Sequence, residues 1–211
     1  MGINHLWHSG DPQEWSRALE RYWEFVRPAN IDLERAMESL DLERIRQLDS
    51  QGWYDFLLNE YFRWKYTTPN RYSTTTKLLR QYAEKGSLDE LHAIMKSLLQ
   101  LNREDILQGL KTASEIKGLG TAGASGLLAL LYPQKFGTVD QFAVKALGGV
   151  SGLPEARDVA RMKPDGLSLR DGVLLISIMR RKAEENNRLF RTSDWTPRKI
   201  DKVLWTYGRD N

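Results

Sequence analysis

The chain of 211 residues contains no cysteine. That excludes disulfides, a thiolate nucleophile, cysteine-ligated zinc and cysteine-held iron–sulfur clusters. Histidine is scarce too, limited to His5, His8 and His92. His5 and His8 stand three residues apart but no third ligand is evident, so a zinc enzyme is not expected and no cofactor is assigned. No apolar run approaches the roughly 20 residues needed to span a bilayer. The opening MGINHLWHSGDPQEW lacks the basic-then-apolar layout of a secretory signal, and a soluble, cytoplasmic protein is expected. Runs of β-branched residues alternating in period two are also missing, which argues against sheet.

What remains is a chain that is 41% hydrophobic and 28% charged, enough apolar material for one large domain or two small, closely packed lobes. The net charge of +3 permits nucleic-acid binding without demanding it. Helix signals follow one another along the sequence. Asp11-Pro12 with Glu14 caps the first long segment. IDLERAMESLDLERIRQLD recurs at helical spacing, Ser87 with Glu90 reads as a capping box, and Asn102 as the start of REDILQGLKTASEI. Ser168 opens a long helix, and Thr196-Pro197 opens the last, which Gly208 is expected to stop. The fold class is therefore all-α. TTPNRYSTTT (67–76) and GGVSGLPEARD (148–158) are the loosest stretches and the expected crossings between lobes. Residues 1–73 with 151–211 are expected to form one helical lobe, and 74–150 a central one.

Within that central lobe, 105–131 reads as a helix, a KGLG turn and a second helix, TAGASGLLALL. Each glycine inside a helix costs about 1 kcal/mol relative to alanine, so Gly118, Gly120, Gly123 and Gly126 require a reason. Glycines in the turn supply positive φ and leave N–H groups unshielded at the start of the second helix, where orphan donors and the dipole favour an anion. Lys117 sits at the same point and Thr121 begins the helix. A phosphate would fit; so would a capped helical pair that binds nothing. Ala122, Gly123, Ala124 and Gly126 beyond the turn imply that a neighbouring helix lies close.

The next segment, YPQKFGTVDQFAVKAL, places Val139-Asp140 before another short helix. Together these residues resemble the helix-hairpin-helix DNA glycosylase superfamily, in which a G-x-G hairpin precedes a proline/glycine-rich loop and a V-D-x-H-V-x-R-like helix. The likeness covers roughly 102–148. It implies a two-lobed helical fold with an inter-lobe cleft, double-stranded DNA as partner, a monomer, a nucleoid-associated location, and base flipping followed by cleavage of the base–sugar bond. Lys117, Gly118, Gly120, Thr121 and Lys145 would then meet the DNA backbone. Asp140 maps onto the catalytic aspartate. Its chemistry is sound in itself: a carboxylate near C1′ stabilises the oxocarbenium-like transition state and orients or deprotonates a water. Asp140 also reads as a plain helix N-cap, and one side chain can do both. The chain departs from the pattern at Phe142, where histidine is common, and at Ala122. Relatives that also cut the DNA backbone carry a lysine at the position of Ala122, so the resemblance implies a monofunctional enzyme using water. The alternatives are a non-catalytic helix-hairpin-helix DNA-binding protein and a helical interaction protein.

WYDFLLNEYFRWKYTTPNRY (53–72) is aromatic on more than one helical face, as for a segment buried on one side and facing a cleft on the other. A base-flipping enzyme needs an aromatic pocket and a wedge, and Trp64, Tyr66, Asn70, Arg71 and Tyr72 are the candidates, with core packing as the other reading of the aromatics. Glu60 lies within the apolar face; it either meets a flipped base or pairs with Arg63 or Lys65.

Overall fold

The computed structural model describes residues 2–209, and every regular element among them is helical. The N-terminal part holds α1 (Ile3–His8), α2 (Pro12–Glu20), two 3₁₀ turns (Arg21–Phe25 and Pro28–Asn30), α3 (Ile31–Glu38) and α4 (Leu42–Arg46). The aromatic segment forms α5 (Ser50–Phe56), a π-helical turn (Leu57–Tyr61) and α6 (Phe62–Lys65). Then come α7 (Pro69–Glu84), α8 (Leu88–Leu99), α9 (Ile106–Ser114), α10 (Thr121–Leu131) and α11 (Gln141–Gly148). Finally, α12 (Ala156–Val159), α13 (Leu169–Phe190) and α14 (Pro197–Arg209) complete the chain. None of the described helices is long and apolar enough to cross a membrane.

The caps explain most boundaries. Asp11 accepts from Gln13 N at 2.8 Å, with Pro12 in the first turn. Ser168 and Asp171 form the reciprocal capping box that starts α13. Asp41 caps α4 and so splits the charged 31–49 segment into two helices. Four expectations need correction. Ser87 precedes α8 without making a side-chain cap bond. The helix expected from Asn102 starts at Ile106, because Asp105 is the residue that accepts from Gln108 N. Most of 67–76 belongs to α7, with Pro69 at its start and the hydroxyls of Thr74, Thr75 and Thr76 bonded back to carbonyls one turn earlier. Gly208 lies within α14 and does not stop it. Its missing side chain is needed for another reason: a Cβ there would run into the carbonyl of Phe142. Helices α11 and α14 therefore cross almost in backbone contact.

At the centre lies α10, buried on every side from Gly123 to Leu131 and packed on α9, α13 and α14. An all-round apolar helix has no solvent face to offer, which accounts for GLLALL. The two ends of the chain meet in an aromatic cluster, with Trp15 set between Trp7 and Trp195 at centroid distances of 6.3 and 5.3 Å. Lys182 of α13 fastens α1 by donating to the Trp7 carbonyl at 2.9 Å.

Candidate functional site

The turn between α9 and α10 is built from its glycines. Gly118 has φ +96°, a conformation side-chain-bearing residues avoid, and a Cβ on it would lie 2.6 Å from the Thr75 carbonyl of α7. Gly120, by contrast, is exposed with nothing within 4 Å of where its Cβ would be. It takes the N-cap position of α10 without a side-chain cap. Among the described residues the N–H groups of Gly120, Thr121, Ala122 and Gly123 have no acceptor, the usual orphan donors of a helix start. Tyr82 braces the turn from behind: Lys117 N donates to its hydroxyl at 3.4 Å, and the Lys117 ammonium sits 4.3 Å from its ring centroid.

The small residues of α10 accommodate side chains from the aromatic segment. The Tyr61 hydroxyl donates to the Gly123 carbonyl, and the Tyr66 hydroxyl donates to the Gly118 carbonyl at 3.0 Å. A Cβ on Gly123 would come within 2.5 Å of the Tyr66 oxygen. One on Gly126 would lie 2.9 Å from the Tyr61 oxygen and 3.2 Å from Cδ of Lys65. The close neighbour expected from the glycines is thus the helical segment 57–65 with its cap Tyr66, which meets them through side-chain ends. Burial pushes the Tyr66 phenol up to about 12.

These elements enclose an open cavity of about 570 Å³, within the size range of ligand pockets. Its aromatic wall includes Tyr22, Phe25, Trp64, Tyr66, Phe142 and Trp205. The start of α10, from Gly120 to Gly123, opens onto it, as do the 66–68 and 164–167 segments. Arg27, Arg71 and Arg209 supply positive charge at exposed positions.

Asp140 lines the cavity as the N-cap of α11. Its Oδ1 accepts from Phe142 N at 2.9 Å and Ala143 N at 3.0 Å. Oδ2 accepts no hydrogen bond among the described residues, so one oxygen of this cavity-lining side chain is left without a partner. The preceding residues are pinned: Val139 N donates to Ser125 Oγ of α10 at 2.9 Å and Thr138 N donates to Asp201 at 2.6 Å.

Beneath Asp140 the cavity has a buried ionic floor that sequence reasoning missed. Arg198 of α14 donates to Asp201 at 2.9 Å, to Glu38 at 2.8 Å and to Glu34 at 3.3 Å. Glu34 also accepts from the Tyr22 hydroxyl and from Trp64 Nε1, each at 2.6 Å, and Lys202 pairs with Glu38. Burial pushes the Asp201 carboxyl up to about 7 against the opposing pull of Arg198, and burial drives the Tyr22 phenol up as well. Arg198 and Asp201 are separated from Glu34 and Glu38 by about 160 residues of chain, so no local pattern announces their union; only the i, i+3 spacing of Arg198 and Asp201 was legible.

Of the residues singled out from sequence, Gly120, Thr121, Asp140, Trp64, Tyr66 and Arg71 line the one cavity. Lys117 and Gly118 form the turn beside it. Lys145 is on the exposed side of α11, its ammonium 5.8 Å from the Phe142 ring centroid, and does not line the cavity; neither do Asn70 and Tyr72. Glu60 points elsewhere and pairs with Arg44 at 2.6 Å, not with Arg63 or Lys65. The π-helical turn accounts for this. Glu60 lies within it, where the wider turn departs from the 3.6-residue spacing that placed Glu60 on the face of Trp53. No group of three or more histidine, aspartate or glutamate side chains that could hold a metal occurs among the described residues. No family model, curated protein or solved structure matches the chain.

Proposed function

We propose that the protein is a DNA glycosylase of the helix-hairpin-helix kind that releases the base with water and has no Schiff-base lysine on its hairpin helix. In this reading the α9–α10 pair is the hairpin, and its bare N–H groups and Lys117 receive a phosphate of double-stranded DNA. The cavity is the inter-lobe cleft into which a damaged or modified base is rotated. One observation carries the proposal: Asp140 presents an unshared carboxylate oxygen to an aromatic-walled cavity that also holds the free N-terminus of α10. A carboxylate so placed stabilises positive charge as the base–sugar bond opens and directs a water at C1′. The rings of Trp64, Tyr66, Phe142 and Trp205 offer stacking surfaces for an extruded base. The hairpin helix bears Ala122 at the position where a lyase of the family would have its lysine, so base release falls to water.

The test is incubation of the protein with genomic and phage DNA of varied modification, with released bases read by mass spectrometry and abasic sites counted in the polymer. Release abolished by Asp140→Asn supports the proposal. Steep, salt-dependent DNA affinity without any base release would instead leave a binding module in which Asp140 only caps its helix, and no such affinity would leave a helical interaction protein.

A further inference from the structure

We propose that Lys65 is the nucleophile of a second activity at the same cavity: it condenses with the sugar aldehyde of an abasic site and cuts the DNA strand by β-elimination. The inference rests on the reading of this cavity as a DNA site, but it needs no knowledge of which base is removed.

Three observations place the amine. Lys65 ends α6 and lines the same cavity as Asp140, its stem running over Gly126, whose Cβ would lie 3.2 Å from Lys65 Cδ and 3.4 Å from Cε. The glycine makes the groove that the lysine occupies. Next, its ammonium has no hydrogen bond and no ion pair among the described residues; its nearest aromatic contact is the Trp64 ring, with the centroid 5.9 Å away. The other cations set deep in this protein are all paired: Arg198 with Glu34, Glu38 and Asp201, Lys202 with Glu38, and Lys182 with Glu185. Among the described residues, Lys65 alone of these cations has no such partner. Finally, Asp140 is the carboxylate whose charge acts on it most strongly, yet the two do not form an ion pair.

The chemistry follows. Burial lowers the Lys65 ammonium below the ordinary lysine range, while Asp140, Asp201 and Glu34 raise it and Arg198 lowers it further. The net fall enlarges the share of free amine. Hydrolytic base release leaves a sugar whose ring-opened form carries an aldehyde at C1′. The Lys65 lone pair attacks that carbon, and loss of one water gives a protonated imine. A proton then leaves C2′, its electron pair forms the C2′–C3′ double bond, and the C3′–O bond breaks with the phosphate as leaving group. Addition of one water returns the amine and an unsaturated aldehyde. The free Oδ2 of Asp140 is the base at hand for the C2′ proton. No oxidant or reductant is consumed. The lysine missing at Ala122 is thus replaced by one at the end of α6.

The decisive experiment uses a labelled duplex with a single abasic site made by uracil removal, incubated with the full chain and borohydride. A covalent adduct is expected, with the modified peptide containing Lys65, together with strand cleavage when borohydride is omitted. Lys65→Arg keeps the charge and most of the stem but cannot form the imine. It should lose adduct and cleavage by about 100-fold or more while DNA affinity and the unfolding midpoint stay near those of the parent. A second readout needs no DNA: under limiting acylating reagent, Lys65 should be modified ahead of the exposed lysines. An adduct mapped to another amine, or cleavage undiminished in Lys65→Arg, overturns the proposal. Because the abasic site is supplied ready-made, trapping at Lys65 without base release from any DNA would sink the glycosylase reading alone. Base release with no trapping would sink the lyase alone.

Discussion

Replacing Asp140 by asparagine separates the capping role of this side chain from the catalytic role proposed for it. Oδ1 receives the N–H groups of Phe142 and Ala143 at 2.9 and 3.0 Å, whereas Oδ2 is free among the described residues. An asparagine oxygen can take over both cap bonds, and asparagine caps helices about as well as aspartate. What the folded state loses is the attraction between the charge and the helix start, about 0.3–1 kcal/mol. Asp140→Ala removes the cap bonds as well and should cost about 1–2 kcal/mol. Activity should follow a different order. A carboxylate aimed at developing positive charge contributes about 3–4 kcal/mol, so Asp140→Asn should slow base release by about 10²–10³-fold or more while DNA affinity stays within a few-fold. Urea unfolding supplies the stabilities and mass spectrometry of released bases the rates. A third reading comes from Lys65. Because the Asp140 charge holds that ammonium up, removing it should lower the lysine further and speed its acylation at a given pH. Base release by Asp140→Asn within a few-fold of the parent would refute the catalytic role, and slower acylation of Lys65 would refute the coupling.

Other consequences can be checked on the free protein. Gly123→Ala sets a methyl group against the Tyr66 hydroxyl and should destabilise by about 1–3 kcal/mol, with part of the loss recovered in Gly123→Ala/Tyr66→Phe; equal losses in both would show that the hydroxyl is not the obstacle. Arg198→Met leaves Glu34, Glu38 and Asp201 facing one another and should cost about 3–5 kcal/mol by urea unfolding at neutral pH. The Asp201 carboxyl titrates higher in the folded chain than its ordinary value of 3.8, so the folded state holds the proton more tightly. Its contribution is complete below that value and is lost as pH rises through about 7. The stability of the parent chain relative to Asp201→Asn, measured across this window, should therefore fall with rising pH; a flat difference would contradict the assignment.

The all-helical class was legible because helix caps and 3.6-residue periodicity are local, and Asp11, Ser168 and the apolar run of α10 carried them openly. Asp140 and the glycine turn were legible for the same reason, as features within one short stretch. Errors arose where a local signal had a tertiary cause. Gly208 looked like a terminator but serves a helix crossing, and Gly118 serves both a positive φ and the approach of Thr75 from α7. Glu60 left the expected face because a π-helical turn interrupts the period, and no propensity marks such a turn. Lys65 stood in the sequence as one of many cations. Its lack of a partner is a property of everything around it, and so is visible only once Glu34, Asp201 and Asp140 have been brought together.

The contact at Gly208 also bears on mechanics. With α14 pressed against the backbone of α11 at Phe142, the helix that carries Asp140 and the helix that carries Arg198, Asp201 and Trp205 have no room to slide past each other. Just before α11, Thr138 N donates to Asp201 of α14 and ties the two together again. That side of the cavity behaves as an anvil. Any widening of the cavity must come from other parts of its lining, such as Thr67, Thr68 and the 164–166 segment, which are exposed and belong largely to connecting loops. Asp140 thus belongs to the part of the cavity wall that the helix crossing holds in place.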